Sequence, residues 1–346
     1  MKANAFFPSI GRFGAKWYPE DIVGGMGMMN DTNNYWFVDG DKSASGGGQS
    51  WEDAYKTIQE AVTAASAGDT IFVAGRTITA LATDPLNYAE TVIIPNGTPQ
   101  LSIIGVSRGR TQGGLPQMKI GAGSTAMMTV RAPGCLIANM GFNGASSTGG
   151  GILLDDDGGT SKVAFGTTIT GCHFKNCVGS TATDAATGGA IMWSSDGGAW
   201  QVLINGNRFY KNVGDIVMKG TSGSVPQDVV VEDNIFSGPA ASVDCNIYVA
   251  ADGINGLIVR NNVFTGKPAI GSGSNAKYMV LGAGTVGILA GNYFASITGE
   301  AETDVTFGAS GAGATIPTTV FISGNFGETG SANTNAGEQS CDIFRT

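Results

Sequence analysis

The chain has 346 residues, of which only 14% are charged and 55 are glycine, whereas roughly 25% of an average globular protein is charged. Its net charge is −9 and it has no basic run, so nucleic acid is excluded as an expected partner. No window approaches the roughly 18–20 apolar residues that span a bilayer, and the start lacks the apolar core of a signal peptide, so we expect neither membrane insertion nor secretory export.

Residues 1–40 are predicted to form an anchoring and assembly arm. The segment is rich in aromatic residues, and Gly and Pro interrupt it too often for it to build a core of its own. The expected anchoring residues are Phe6, Phe7, Phe13, Trp17, Tyr18 and Trp36.

A capping helix is predicted over about 51–66, at the start of a β domain that spans 41–346. Ser50 has the character of an N-cap with Asp53 three residues on, and Gly68 follows the helix. The apolar stripe consists of Ile58, Ala61, Val62 and Ala65. Such a helix would cover the open end of a stack of strands, which otherwise templates aggregation.

A phrase of Ile, Asn and Phe recurs about every thirty residues in the repeat region, about 71–346. Its copies are CLIANMGF (135–142), TTITGCHF (167–174), VLINGNRF (202–209), VVVEDNIF (229–236), LIVRNNVF (257–264), GILAGNYF (287–294) and VFISGNF (320–326). A second apolar run follows each copy, as GILLDD at 151, AIMWSS at 190, DIVMKG at 215, NIYVAA at 246, KYMVLG at 277, DVTFGA at 304 and CDIFRT at 341. Two short strands per repeat predict a β-solenoid.

Each position of the phrase is expected to form a column from coil to coil. The inward aliphatic column is Ile137, Ile169, Ile204, Val231, Val259, Leu289 and Ile322, and the Asn column is Asn207, Asn234, Asn262, Asn292 and Asn325. The Phe column is Phe142, Phe174, Phe209, Phe236, Phe264, Phe294 and Phe326. Coils stacked at the strand spacing of ~4.8 Å would bury Ile and Phe and let the Asn amides hydrogen-bond from coil to coil.

The five cysteines are interpreted as buried free thiols, because an odd number in a chain without a signal does not favour a disulfide framework. They are Cys135, Cys172, Cys177, Cys245 and Cys341, and Cys172 takes an Asn position. The CHFKNC stretch contains the only histidine, His173, but two thiols and one imidazole leave a zinc site one ligand short. We expect no metal and no cofactor.

The segment YWFVDGDKSASGGGQSWEDAYKTIQEAVTAASAGDTIFVAG, 35–75, resembles the N-terminal capping block of the right-handed parallel β-helix, pectate-lyase-like superfamily. The resemblance implies an all-β fold, a right-handed parallel β-helix solenoid with an N-terminal capping helix and an extended N-terminal arm. That superfamily includes pectin lyases, polysaccharide hydrolases, surface proteins and phage tailspike-like or capsid-associated proteins, so the fold does not imply one function.

The catalytic patterns of the superfamily are not matched. Polygalacturonase-like members carry paired aspartates, a Gly-His-Gly stretch and an Arg-x-Lys stretch, whereas Phe174 follows His173 here. Lyase-like members use an acidic Ca²⁺ cluster beside an Arg or Lys base, and the nearest imitation is Glu232 with Arg260, flanked by Asp233. A surface ion pair is the simpler interpretation of that pair. We therefore expect that the chain is not an enzyme.

One acidic cluster is a further metal candidate. Asp155, Asp156 and Asp157 form the densest group of carboxylates and have the oxygen chemistry that Ca²⁺ prefers. A solvated turn is the alternative interpretation, and we prefer it.

Two outward columns are apolar where solvent-facing positions should be polar. In the second strand the column is Leu153, Met192, Val217, Tyr248, Val280, Thr306 and Phe344. In the first strand it is Leu136, Thr168, Leu203, Val230, Ile258, Ile288 and Phe321. Two different apolar faces on one prism allow a head-to-tail contact that closes into a ring. We predict a homotrimer that uses these columns, although long loops or the arm would also serve as covers.

The features together favour a non-catalytic structural protein of a phage or virus particle, as a capsid decoration, a fibre or a short tailspike-like component. Its expected location is the virion, and its expected partners are further copies of itself and other virion proteins such as the capsid shell. The alternatives are a polysaccharide-degrading lyase or hydrolase and a host-glycan-binding surface module. Trp193 and Trp200 near loops would be aromatic platforms for a glycan, or simply core and turn packing.

Overall fold

The computed structural model describes residues 34–77, 86–106, 115–119, 126–144, 150–156, 164–177, 189–194, 199–220, 223–237, 245–265, 278–294, 307–310, 317–327 and 341–342. These residues form three long sheets, in which successive coils of the chain contribute successive strands. With one exception at the C-terminal end, the strand pairs are parallel. The parallel β-helix predicted from the sequence is confirmed.

Sheet A contains the first strand of each repeat. Its ten strands are Tyr35–Val38, Thr70–Ala74, Ser102–Val106, Leu136–Ala138, Thr168–Thr170, Leu203–Asn205, Gln227–Glu232, Asn255–Arg260, Val286–Ala290 and Val320–Ser323.

Sheets B and C form the other two faces of the prism. The strands of sheet B are Asn87–Tyr88, Gln117–Met118, Gly141–Asn143, His173–Lys175, Arg208–Tyr210, Ile235–Ser237, Val263–Phe264, Tyr293–Phe294, Phe326–Gly327 and Cys341–Asp342. The strands of sheet C are Val92–Ile94, Ala126–Val130, Gly150–Leu154, Ile191–Trp193, Ile216–Met218, Ile247–Val249, Met279–Gly282 and Phe307–Ser310.

The predicted aliphatic column lies in register along the inner side of sheet A. Ile137 pairs with Ile169, Ile169 with Ile204, and the pairing continues through Ile322. All seven members are buried. Each removes its apolar surface from water, which contributes roughly 1.5–3 kcal/mol per side chain.

Six phenylalanines form a continuous stack on the inner side of sheet B. They are Phe142, Phe174, Phe209, Phe236, Phe264 and Phe294, with ring centroids 4.5–5.1 Å apart and ring planes within 14° of parallel. The in-register pairing of parallel strands holds the rings at this separation. The stack therefore follows directly from the repeat of Phe in the sequence.

The predicted Asn ladder is present at the corner between sheets A and B. All five asparagines are fully buried. In the four that follow Asn207, Oδ1 accepts from the backbone N–H and the Nδ2 of the preceding Asn. In all five, Nδ2 donates to a backbone carbonyl of the preceding coil. Cys172 occupies the next position of the column, where its backbone N–H donates to Asn207 Oδ1 at 2.9 Å.

The residue before each ladder position adopts a left-handed backbone conformation, with φ between 55° and 66°. The seven residues are Asn139, Gly171, Gly206, Asp233, Asn261, Gly291 and Gly324. Only Gly, Asn and Asp occur, which are the residues that tolerate this region. The sharp bend between the two sheets thus has the same length in each of these coils.

The N-terminal cap differs from the prediction in extent. The helix, α1, spans Ile58–Ala64, and its N-cap is Thr57, which forms a capping box with Glu60. Ser50 instead accepts a hydrogen bond from the Asp53 N–H in a turn. This turn region reaches the outer edge of the first strand of sheet A, where Tyr55 N–H donates to Phe37 O.

The solenoid begins before residue 41. Strand Tyr35–Val38 pairs with Thr70–Ala74, and Trp36 packs against the core while its Nε1 donates to Asp69 Oδ2 at 2.9 Å. Trp36 is therefore part of the first coil rather than of an anchoring arm. The other five predicted arm residues, Phe6, Phe7, Phe13, Trp17 and Tyr18, lie outside the described residues.

Two predictions at the C-terminal end are wrong. Phe326 aligns with Tyr293 and not with Phe294, because it follows the ladder residue Asn325 directly, and it points outward with 47% of its surface exposed. Cys341–Asp342 does not continue sheet C as another rung, but pairs antiparallel with Phe326–Gly327 in sheet B.

Candidate functional site

The central rungs on the outward face of sheet C are buried within the chain itself. Ala126, Met192 and Val217 form a small apolar cluster, against which Leu153 and Tyr248 pack. Met192 is only 4% exposed and Val217 is fully buried. The expectation that this column offers a free interface is therefore wrong for its central rungs.

Three further members complete the account of that predicted column. Val280 pairs with Tyr248 and is half-buried. Thr306 and Phe344 lie outside the described residues.

From Leu203 to Phe321 the outward face of sheet A carries an apolar column whose exposure rises toward the C-terminal coils. Leu203, Val230 and Ile258 are half-buried and lie in register. Ile288 is 42% exposed and Phe321, its partner in the next coil, is 64% exposed. This column was predicted from the sequence, and its last two rungs have the surface that a partner would cover.

Sheet B carries a second exposed apolar pair beside the end of this column. Tyr293 and Phe326 lie in register and are 40% and 47% exposed. One left-handed residue and one ladder Asn separate each of them from the sheet A strand before it. We call Ile288, Phe321, Tyr293 and Phe326 together the apolar corner, because they lie on both faces of one edge of the prism.

The sheet B half of the apolar corner was not predicted from the sequence. Phe326 was expected in the inner stack, although it follows Asn325 with no intervening residue. Counting positions from the ladder Asn would have placed Phe326 beside Tyr293, in the outward column.

The Glu232–Arg260 pair is a surface ion pair. Arg260 Nε donates to Glu232 Oε2 at 2.6 Å, and 53% of the Arg260 side chain is exposed. Solvent screens such a pair, which contributes less than about 1 kcal/mol. Asp233, the flanking acid, serves as a left-handed corner residue.

The acidic cluster is divided between different environments. Asp155 accepts from Arg131 Nε at 2.7 Å, and Asp156 is 5% exposed. Asp157 lies outside the described residues. Within the described ranges, no three His, Cys, Asp or Glu side chains come together as a metal site would require.

The cysteines of the core are apolar fillers. Cys135, Cys172, Cys177 and Cys245 are buried thiols outside any disulfide. Burial raises the pKa of the Cys172 thiol to about 12, and a thiol in this state is a poor nucleophile and metal ligand.

Trp193 does not form a glycan platform. It is 1% exposed, and its Nε1 donates to Ala199 O at 3.1 Å inside the core. Trp200 is half-buried and bridges to Gln227 at the start of the next coil.

A shallow cleft of about 290 Å³ lies on the corner between sheets A and B. Gly171 and Gly206 leave its floor without side chains, and Arg208, Asp233 and Ile235 line it. Both glycines occupy left-handed corner positions in successive coils.

No helix in the described part of the chain has the length and hydropathy that crossing a bilayer requires.

Comparisons with known proteins support the fold. The structure is similar to an alginate lyase from Paenibacillus sp. str. FPU-7, with a TM-score of 0.52 and 16% identity over 74% of this chain and 79% of that one. It is also similar to ORF18 of Geobacillus virus E2, with a TM-score of 0.48 and 11% identity over 93% of this chain and 65% of that one. No family model and no curated protein matches the chain. At such identities the likeness to the alginate lyase shows the fold alone.

Proposed function

We propose that the chain is a non-catalytic structural β-helix of a phage or virus particle, assembled as a homotrimer. Its position would be that of a capsid decoration, a fibre or a short tailspike-like component. The observation that carries the self-assembly is the apolar corner, where Phe321 alone leaves 64% of its surface exposed.

The corner fits contact with a second copy because its two halves lie on different faces. In a ring around an axis parallel to the solenoid, sheet A of one chain would contact sheet B of the next. Such a contact is heterologous, because it joins two different surfaces, and repeating it closes the ring. Ile288 and Phe321 would then pack against Tyr293 and Phe326 of the neighbouring copy. The two columns proposed from the sequence lie on sheets A and C, and the burial of the sheet C column moves the second contact face to sheet B.

The area is of the size that functional contacts use. Taking about 200 Å² for a fully exposed large side chain, the corner exposes roughly 400 Å² of apolar surface. Each contact in the ring joins the sheet A half of one corner to the sheet B half of the next, so each chain contributes roughly 200 Å² per contact, about a quarter of the roughly 800 Å² per side of a standard interface. The half-buried column of Leu203, Val230 and Ile258 extends the same face by three coils.

The placement in a virus particle rests on the low charge content of the sequence and on the superfamily that the capping block resembles. Immunolabelling of purified particles with an antibody against the chain would test it, and label found only outside particles would contradict it.

Native mass spectrometry and light scattering test the self-assembly. We expect a mass of three times the 35.2 kDa chain. Replacing the most exposed corner residue, Phe321→Asp, should convert the trimer to monomer while the circular dichroism spectrum remains that of a β-solenoid. The matched control is Ile93→Asp, an exposed apolar residue on sheet C outside the corner, which should remain trimeric.

A monomer of the unaltered chain at micromolar concentration would overturn the assembly. The non-catalytic assignment has its own test, since release of unsaturated or reducing ends from alginate or pectate would refute it. Mutating Glu232 and Arg260 would then identify whether that pair is responsible.

A further inference from the structure

A second buried polar cluster lies at the opposite corner, between sheets B and C. Asp215 directly precedes strand Ile216–Met218 and is 4% exposed. Its backbone N–H donates to Asn246 O of the next coil at 3.0 Å, as does that of Ile216 at 2.9 Å. A carboxyl group is thus held rigidly inside the solenoid.

Two amide groups hold the carboxyl oxygens of Asp215. Oδ1 accepts from Asn212 Nδ2 at 2.8 Å, and Oδ2 accepts from Asn246 Nδ2 at 2.6 Å. The remaining titratable group that faces it is the Cys177 thiol, whose pKa is raised first by burial and further by the Asp215 charge. Among the described residues no cation forms an ion pair with Asp215, so a negative charge here would have only neutral donors. An ion held this way in an apolar interior is costly.

The contact with Asn246 accommodates either of two hydrogen bonds. Its separation of 2.6 Å lies in the usual range of O–H···O, and N–H groups of this chain also reach their acceptors at this distance, as the Gly48 N–H does to Asp53 O. Among the residues that the structure describes, Oδ1 of the same Asn246 amide is buried and has no hydrogen-bond partner. Half a turn of the amide exchanges Oδ1 and Nδ2. It would place the amide oxygen where a neutral Asp215 can donate its proton, and Nδ2 in the position that Oδ1 leaves.

We propose that Asp215 is a proton-binding site of the folded solenoid, a neutral carboxylic acid whose O–H donates to the Asn246 amide oxygen while its carbonyl oxygen accepts from Asn212. The proton comes from solvent during folding. On ionisation Asp215 loses its O–H donor, and the Asn246 amide turns to present its N–H groups. The corner therefore has two hydrogen-bonded arrangements that the pH selects.

The electrostatics of the corner agree with this arrangement. Burial raises the pKa of Asp215 from its ordinary value of 3.8 to about 7, although the two amide donors act in the lowering direction. The folded chain therefore binds a proton that the unfolded chain releases between about pH 4 and pH 7. The stability that Asp215 contributes is fully present below the unfolded pKa and is lost as the pH rises through about 7.

Calorimetric unfolding in buffers of different ionisation enthalpy measures this proton directly. At pH 6 we expect each unaltered chain to release one more proton on unfolding than Asp215→Asn does. The Asn side chain imitates the neutral acid, because its Nδ2 donates where the O–H did. The control Asp228→Asn changes an exposed carboxyl in the same region and should release the same number of protons as the unaltered chain.

The pH profile gives a second measure at one fixed protein concentration. The folding equilibrium constant of the unaltered chain should fall about tenfold per pH unit between pH 4 and pH 7 relative to that of Asp215→Asn. Equal proton counts and parallel pH profiles for the two chains would overturn the proposal. Should Asp215→Asn fail to fold, the infrared spectrum of the unaltered chain at pH 6 decides, since a buried neutral acid must show a carboxylic C=O stretch and its absence would also overturn the proposal.

Discussion

Removing one member of the Asn ladder should weaken the whole solenoid. Asn262 lies in the middle of the ladder, where its Oδ1 accepts from the N–H and the Nδ2 of Asn234 at 3.0 Å. Its Nδ2 donates to Val231 O at 2.9 Å and to Asn292 Oδ1 at 3.0 Å. The substitution Asn262→Ala removes all of these bonds without opening a path for water.

The cost follows from the groups left behind. The Asn234 N–H and the Val231 carbonyl remain buried without their partners, at about 1–3 kcal/mol for each such group. The neighbouring ladder amides also lose a partner each, so we expect the free energy of unfolding to fall by roughly 3–5 kcal/mol. Because each coil contacts only its neighbours, the loss should weaken the coils on both sides as well.

Urea denaturation followed by circular dichroism measures this loss. The control is Asn255→Ala, an exposed Asn on the same sheet A strand region, which should change stability by less than about 0.5 kcal/mol. If Asn262→Ala lost less than about 1 kcal/mol, the ladder would not be a principal source of stability and the reasoning would be refuted.

Three further outcomes are expected. Phe236 lies between two rings whose centroids are 4.8 and 4.5 Å from its own. The substitution Phe236→Ala should therefore lower the free energy of unfolding by about 3–5 kcal/mol in the same urea assay. A loss smaller than that caused by replacing an exposed Phe would contradict the stacking. Gly282→Ala should prevent folding or strongly lower the melting temperature, because the added Cβ would overlap Ala250 O. In the control Gly97→Ala the added Cβ meets no atom within 4 Å, so this variant should melt like the unaltered chain. The Cys172 thiol should resist a thiol reagent at pH 8 until urea unfolds the chain, since burial raises its pKa to about 12, and rapid labelling of the folded chain at that residue would contradict its placement.

The inner columns could be predicted from the sequence because they depend only on residues that recur once per coil. Residues one coil apart must superpose in a parallel stack, so Ile204 over Ile169 and Asn234 over Asn207 follow from their spacing. The prediction for Phe326 was wrong because it was aligned with the other phenylalanines by residue type. Its distance from the ladder Asn should have decided the alignment. The extent of α1 was overestimated since the stretch before Thr57 forms hydrogen bonds with the edge of strand Tyr35–Val38.

The outer surface was less predictable for a physical reason. An apolar outward residue such as Val217 has the same sequence pattern whether other parts of its own chain or a partner chain cover it. Only the folded structure distinguishes these two cases. The burial of the Asp215 carboxyl could not be predicted from the sequence either. Its hydrogen-bond partners are Asn246 in the next coil and Asn212 three residues earlier. Burial of that carboxyl is a property of the stacked coils rather than of any local pattern.

The fixed length of the bend between sheets A and B determines where the molecule tolerates change. Successive ladder asparagines are separated by 27, 28, 30 and 33 residues, yet each is reached through one left-handed residue. All of the length variation therefore falls in the other connections of the coil. A peptide inserted on those sides would extend a loop and leave the stack intact, whereas a single residue added between Gly206 and Asn207 would put every later side chain of that coil out of phase with its neighbours.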